Sequence, residues 1–508
     1  MGFDGEDRKK VARGTLFNVL GGASLAASKA FQFVLRRLFG GPAFGLYAIT
    51  YGVMELCANF LLGGFGDALT YHLSQHLHAP KNTEEERLAR DRGLYAALAS
   101  GLRTPVLIAL ALAVAIWFGA GWLHSVLWSV QDREIVHLLR VVIWALPLLT
   151  VVHLLAETTR AHLDMRLPVL VVQTLFPLLS IGFALFLHWH FHWGIVCMAY
   201  GLVGSLLCCL PVVIWGFSRY YSLGRTLLAI VRGDGDPEIR RFAIPQCLNM
   251  ASNLGLVKLD SLMLSIWVNA DAVGIYVLLT ELTQLVRLPK MAFSGVFGPL
   301  VAKYQRQGNR AGIAESLASL AQITAFIGIL TLVPVHLFYP EFILGQGKSW
   351  VFPLGIIWLL SVGPLMSIHF GLAGNLLLMT GHSRLLLLNS LGSLALNALL
   401  DLLLIPIWGV SGAAIATAVS NLLISSLQIY EMGRLERFHF SWHLYHRTTI
   451  FLLLVGVILV LIQGHSLHLR FAVWGLAWLG LAASALWIPG PQRHPLWGFA
   501  EKLRQTSR

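Results

Sequence analysis

The chain has 508 residues, of which 56% are hydrophobic and only 12% are charged, and its formal net charge is +12 at pH 7. Soluble globular proteins carry about 25% charged residues, so the composition excludes a soluble enzyme and predicts that lipid surrounds much of the chain. The positive charge does not indicate nucleic acid as a partner, because Lys and Arg fall in short clusters between apolar runs.

Apolar segments long enough to cross a bilayer follow one another along the chain. A spanning helix needs about 20 mostly apolar residues, and a scan at that length predicts fourteen. Their ranges are 13–35, 43–71, 93–118, 135–157, 167–188, 193–217, 242–268, 272–301, 316–339, 350–379, 384–405, 410–430, 448–464 and 470–488. The segments show no alternation of period two, which predicts an all-α polytopic membrane protein and excludes a β-barrel.

Basic residues in the loops predict the orientation of these helices. Most of the 37 Lys and Arg residues fall in every second loop, starting with Arg8, Lys9 and Lys10. The other loops hold only Arg36, Arg37, Arg133, Arg140, Lys348 and Arg470. Because cytoplasmic loops carry the excess of basic residues, the pattern predicts that both termini are cytoplasmic.

Parts of the chain also repeat. At a shift of 229 residues Lys29 lies over Lys258, and Gly45-Leu-Tyr47 lies over Gly274-Ile-Tyr276. At a shift of 215 residues Trp193-Gly-Ile lies over Trp408-Gly-Val. These repeated stretches predict two parallel six-helix lobes, residues 1–230 and 231–434, followed by two extra helices and a basic tail in 435–508. Parallel repeats are typical of transporters whose substrate site lies between the halves.

Several motifs, in their order and spacing over residues 11–430, resemble the polysaccharide flippases of the multidrug/oligosaccharidyl-lipid/polysaccharide (MOP) superfamily. They are Ala12-Arg-Gly-Thr-Leu-Phe-Asn18, Arg37-Leu-Phe-Gly-Gly-Pro-Ala-Phe-Gly-Leu-Tyr47, Asn269-Ala-Asp-Ala-Val-Gly-Ile-Tyr276, Gly381-His-Ser-Arg384, Asn397 to Pro406, and Trp408 to Thr417. The resemblance implies two six-helix lobes in a MATE-like V, alternating access, and an undecaprenyl-diphosphate-linked oligosaccharide as cargo. That cargo is the repeat unit of an O-antigen or exopolysaccharide.

The resemblance also implies a transporter, and not an enzyme, in the inner membrane of a bacterium. Expected partners are the lipid-linked glycan, membrane lipids, and the polysaccharide polymerase and glycosyltransferases of the same assembly route. Two alternatives within the superfamily stay open: a lipid II flippase, and a MATE-type antiporter of cations or drugs. A membrane-embedded polymerase is a third alternative, which the absence of long predicted outer loops disfavours.

No cofactor is expected other than H⁺ or Na⁺ as a coupling ion. The sequence has no GxxxxGK[ST] motif for a nucleotide. Its five cysteines lie in apolar runs without a CxxC pair, so neither a disulfide framework nor a metal site is expected.

Ionisable residues inside apolar spans are costly, and they therefore indicate function. Arg and Lys would offset the charge of a diphosphate head group, so the cations predicted to line a central cavity are Lys29, Arg287 and Lys290, followed by Lys258 and Arg103. The side chains predicted to hydrogen-bond sugar hydroxyls are Gln32, Asn59, Gln284 and Asn253. The candidates for ion coupling are Glu55, Asp260, Glu281 and Asp401. The structural alternatives are snorkelling of the cations towards water and pairing of Lys29 and Lys258 with buried acids.

Overall fold

The computed structural model describes most of the chain between residues 31 and 435. The described ranges are 31–77, 83–128, 131–162, 164–233, 235–288, 327–337, 355–370 and 382–435, with residues 24, 28, 29, 290, 324, 325, 374, 376 and 377. In these ranges helices follow one another through short turns, and no strand occurs. The predicted spans 448–464 and 470–488, and most of 13–35, lie outside the described residues.

The helices are numbered in chain order. They are α1 (31–39), α2 (Gly41–Leu77), α3 (Glu84–Val126), α4 (Glu134–Val142), α5 (Ala145–Glu157), α6 (Phe176–Phe191), α7 (Val196–Ser218), α8 (Leu223–Arg232), α9 (Pro237–Trp267), α10 (Ala270–Gln284), α11 (Ile327–Leu337), α12 (Gly355–Phe370), α13 (Ser383–Trp408) and α14 (Val410–Leu435). Tighter 3₁₀ turns follow α5 and α10 at Thr158–His162 and Leu285–Arg287, and a π-helical segment, Pro168–Leu175, leads into α6.

Seven stretches of the described residues are long and apolar enough to cross a membrane. They are Gly41–Leu77, Glu84–Val126, Glu134–His162, Pro168–Phe191, Val196–Ser218, Arg384–Trp408 and Val410–Leu435. Each of them overlaps one predicted span, and α9, α10 and α12 fall on three more predicted spans. The predicted class, an all-α polytopic membrane protein, is confirmed.

Helix α3 is much longer than a bilayer is thick. Its 43 residues extend over about 65 Å at the α-helical rise, roughly twice the hydrocarbon thickness. A capping box fixes its start: Thr83 Oγ1 accepts from the Glu86 amide, and the Thr83 amide donates to Glu86 Oε2, both at 3.2 Å. The acidic first turn is also favourable at the positive end of the helix dipole.

Helices α2 and α9 pack antiparallel along a line of small residues. We call the glycines of α2 that face α9 and the turn after it (Gly45, Gly52, Gly63 and Gly64) the glycine seam. A methyl group at Gly63 would lie 2.6 Å from Met250 Cγ, and one at Gly52 would lie 3.5 Å from a Leu262 methyl group. Glycine thus lets the two backbones approach more closely than larger side chains would permit, as is common between membrane helices.

Two glycines that match under the 229-residue shift contact each other. A methyl group at Gly274 would lie 3.1 Å from the Cα of Gly45. The two-lobe repeat inferred from the sequence stays a prediction.

The chain forms two compact units. The first consists of Met1–Leu278 and Ala398–Ala413, and the second of Leu279–Asn397 and Ala414–Arg508. The first unit thus groups α9 with the helices before it. The lobe boundary that the repeat places at residue 230 stays a prediction, because repeat boundaries and packing are different properties.

Candidate functional site

Lys258 and Glu55 form an ion pair within the glycine seam. Lys258 Nζ of α9 lies 2.9 Å from Glu55 Oε2 of α2, and the side chains are 13% and 26% exposed. The pairing alternative considered for Lys258 is therefore what the structure shows. The charge of Lys258 is already balanced, which makes this lysine a weaker candidate for binding an anionic cargo.

Neutralising one partner of this pair is expected to destabilise the protein. Glu55→Gln or Lys258→Gln alone leaves a half-buried charge without its partner. We expect each change to lower the free energy of unfolding by about 1–3 kcal/mol, less than at a fully buried pair. The double variant should recover most of that loss, and thermal unfolding in detergent measures both effects. Equal losses in the single variants and the double variant would contradict the pairing.

Asp260 and Asp401 form a buried carboxyl pair. Asp260 of α9 and Asp401 of α13 are 1% and 0% exposed, and each carboxyl group lies within electrostatic range of the other. Tyr276 donates its hydroxyl proton to Asp260 Oδ2 at 2.8 Å. Two adjacent buried carboxyl groups repel each other when both are ionised. Either one of them holds a proton, or a bound cation balances their charge. The structure thus brings together two of the four predicted coupling residues.

The carboxylate of Asp401 has no hydrogen-bond donor within the described ranges, although it is fully buried. Buried polar groups are rarely left unsatisfied, so its oxygens fit a small cationic ligand.

Arg287 and Lys290 are two cations that follow α10 in the second unit. Lys290 Nζ donates to Ser367 Oγ of α12 at 3.0 Å. Arg287 lies in the 3₁₀ turn after α10, and its Nε is buried without a hydrogen-bond partner among the described residues. No described carboxylate pairs with either side chain. Val286, the residue before Arg287, packs in a buried cluster with Leu332 and Leu365 and anchors the turn.

For the remaining predicted site residues, the structure gives mainly their burial. Lys29, Gln32 and Asn59 in the first unit are half-buried, and Lys29 makes an interaction of its own. In the second unit Gln284 is half-buried and Glu281 is 6% exposed. The backbone of Asn253 lies in α9, and its side chain lies outside the described part of the chain.

The contacts of Arg103 favour a role other than the predicted one. Its guanidinium donates to the carbonyls of Ile230 at 3.4 Å and Gly233 at 3.5 Å. Gly233 ends α8 with φ +79°, a left-handed conformation that suits glycine at a helix C-terminus. A cation there satisfies free carbonyls and opposes the helix dipole. Because α8 lies between the predicted spans 193–217 and 242–268, this capping role was not predicted.

A second group of contacts ties the end of α9 to the first helices. Arg36 and Asp271 form an ion pair in which both side chains are largely buried. Trp128 Nε1 donates to Ser265 Oγ at 2.8 Å, and Gln131 Nε2 donates to the Ser265 carbonyl at 2.7 Å. The sequence indicated only that Arg36 lies near the predicted outer interface, because nothing local marks a partner at residue 271.

No protein-family model matches the sequence, and no curated protein does. Solved structures do match. A multidrug resistance MATE family transporter of the MOP superfamily, in an inward-facing conformation, has a TM-score of 0.64 and 14% identity over 83% of this chain and 98% of its own. The lipid II flippase MurJ, inward closed, has a TM-score of 0.67 and 14% identity over 92% and 98%.

A MOP-superfamily transporter from Pyrococcus furiosus also matches, with a TM-score of 0.57 and 13% identity over 84% of this chain and 96% of its own. The chain has the fold of MOP-superfamily transporters. The cargo has to be argued from the charged residues of this chain itself, because identities this low show the fold alone.

Proposed function

We propose that the protein is a transporter that flips an undecaprenyl-diphosphate-linked oligosaccharide across the bacterial inner membrane by alternating access. One observation carries the proposal: Arg287 and Lys290 in the second unit have no acidic partner among the described residues. Cations within apolar helices are costly unless an anion or water surrounds them. A diphosphate head group is an anion of suitable chemistry, since Arg binds phosphate through a bidentate fork and Lys as a point charge.

The glycan part of the proposal rests on the sequence. The motifs at 12–18, 37–47 and 269–276 resemble polysaccharide flippases. A fold match to a protein named as a lipid II flippase is compatible with a lipid-linked sugar as cargo. The expected partners, a polymerase and glycosyltransferases, would act on the same glycan on either side of transport.

A reconstitution experiment tests the function. Purified protein in vesicles of neutral lipid is given a fluorescent undecaprenyl-diphosphate disaccharide, and outward movement is followed by quenching from outside. We expect protein-dependent movement of this probe and none of an uncharged glycolipid with the same sugar. If lipid II moves in the same vesicles and the disaccharide probe does not, the protein is assigned as a lipid II flippase. If neither lipid II nor the disaccharide probe moves, the proposal is contradicted.

The buried carboxyl pair favours a second candidate, a cation or drug antiporter. Asp260 and Asp401 present oxygen ligands to a cation, as an exporter of cations would require. In the same vesicles, efflux of an organic dye cation with no movement of the diphosphate probe would favour this candidate. We rank it second because Arg287 and Lys290 would repel such a cargo.

We further propose that Asp260 and Asp401 bind the coupling ion, H⁺ or Na⁺. Asp401→Asn is expected to abolish stimulation of transport by an imposed ion gradient, a loss of about 5- to 100-fold for a typical coupling free energy. Cargo binding without a gradient should persist. Asp91→Asn is the matched control, because Asp91 is 49% exposed and pairs only at the surface. An unchanged gradient response in Asp401→Asn would refute the assignment.

A further inference from the structure

A second polar cluster lies in the first unit, far along α9 from the carboxyl pair. Its members are Asp67 of α2, His153 and Glu157 of α5, Arg160 of the following 3₁₀ turn, and Gln246 of α9, and we call it the His153 cluster. Gln246 precedes Asp260 by 14 residues, which is about 21 Å along an α-helix. The cluster is therefore a separate site.

Short polar contacts join its members. Arg160 Nη1 lies 2.6 Å from Glu157 Oε2, and Gln246 Nε2 donates to Asp67 Oδ2 at 3.2 Å. Glu157 follows His153 by one helical turn, so both lie on one face of α5. The cluster therefore connects α2, α5 and α9, and the contact between Gln246 and Asp67 crosses from α2 to α9 beside the glycine seam.

His153 is the member whose bonding is incomplete. Its Nδ1 is buried and has no hydrogen-bond partner among the described residues. The charged groups in electrostatic range are Asp67 from α2 and, on the chain of His153 itself, Glu157 and Arg160. Helix α9 adds only the neutral amide of Gln246, and within the described ranges α3 and α7 add no charged group to this set.

The charges of the cluster do not balance without one more positive charge. Two carboxylates and one guanidinium leave a net charge of −1 while the imidazole is neutral. A buried cluster of polar groups is strongly disfavoured with an uncompensated charge, and a titratable member normally takes up or loses a proton instead. One proton, held by the buried carboxyl group of Asp67, makes the cluster neutral.

We propose that the His153 cluster is a proton-binding site that links protonation to the contact between α2 and α9. The cluster opens to the protein surface at Arg160, whose side chain is 36% exposed, whereas that of Glu157 is 9% exposed. A proton on Asp67 weakens the bond from Gln246, because an amide donates more strongly to a carboxylate than to a neutral acid. Proton uptake thus loosens one polar contact between the two helices.

The pH dependence of stability tests the proposal without any cargo. A proton held by Asp67 in the folded state and lost on unfolding makes the protein less stable as pH rises above the ordinary pKa of a carboxyl group. We expect the Tm of the purified protein to fall by about 1–3 °C for each pH unit between about pH 5 and pH 7. Asp67→Asn and Glu157→Gln each balance the cluster without a proton, so both should flatten this slope.

Three further variants make the experiment decisive. Arg160→Gln adds one uncompensated negative charge to the cluster and should make the Tm fall more steeply with pH. Because Arg160 is partly exposed, this variant is the least at risk of misfolding. His153→Gln should keep the fall in Tm in the same pH range, because the proton is held by a carboxyl group and not by the imidazole. His190→Gln, at the exposed end of α6, is the matched control and should leave the slope unchanged. Wild-type slopes in Asp67→Asn and Glu157→Gln, or a flat slope in Arg160→Gln, would overturn the proposal.

Discussion

The double variant Arg287→Gln/Lys290→Gln is expected to bind an undecaprenyl-diphosphate probe at least about 100-fold more weakly than the wild type. Each charged hydrogen bond to phosphate contributes about 1.5–3 kcal/mol, and a factor of ten in affinity corresponds to about 1.4 kcal/mol. Titration of the probe into protein held in nanodiscs measures the change. The protein should remain folded, because neither side chain takes part in a described ion pair.

A matched control separates this effect from a general loss of positive charge. Arg219→Gln/Arg225→Gln removes the same number of charges after α7 and at the start of α8, where Arg219 stacks on Trp215 and Arg225 lies 3.4 Å from Asp91. This control should bind the probe within about twofold of the wild type, as expected for exposed charges. If both double variants bind equally well, Arg287 and Lys290 do not hold the head group.

Gly45→Val is expected to prevent stable folding. A methyl group at Gly45 would lie 3.0 Å from the Cα of Ala270 and even closer to the Ala270 carbonyl. Both groups are backbone, so no side chain can move aside, and overpacking of this kind costs about 1–3 kcal/mol for a single methylene and more for a larger group. We expect a folded yield close to zero for Gly45→Val and a clearly lower Tm for Gly45→Ala.

Gly121→Ala on α3 is the control for this prediction, and its expected change in Tm has the opposite sign. A methyl group at Gly121 meets nothing within 4 Å among the described residues. Alanine stabilises a helix by about 0.5–1 kcal/mol relative to glycine where space allows. The Tm of Gly121→Ala should therefore be equal to or above that of the wild type. A Gly45→Ala protein as stable as Gly121→Ala would show that the close contact with Ala270 is not needed.

Hydropathy predicted the helices well because lipid acts on each span separately. The ranges 135–157, 193–217 and 410–430 each fall within, or within a few residues of, the helices found. Short helices were less visible: α8 lies between two predicted spans, and its apolar residues are too few for a span. Arg103 caps the C-terminus of that helix, so its capping role could not be predicted either.

Partners within the membrane could not be predicted, because pairing depends on the fold and not on local sequence. Charge inside apolar runs was enough to select Asp260 and Asp401, yet nothing in the sequence shows that they meet. The same holds for Lys258 and Glu55, whose pairing was one of two open alternatives. His153 escaped notice because a single histidine in an apolar run is usually structural, and its meaning depends on Asp67 from another helix.

The length of α3 gives experimenters a rigid attachment point. Its first two turns are exposed to solvent and continue without interruption into the part that crosses the membrane. A soluble carrier domain spliced onto those turns through an unbroken helix would therefore keep a fixed orientation towards the membrane-spanning helices. Such a carrier would supply the extra mass and the asymmetric outline that single-particle images of a small membrane protein need for alignment.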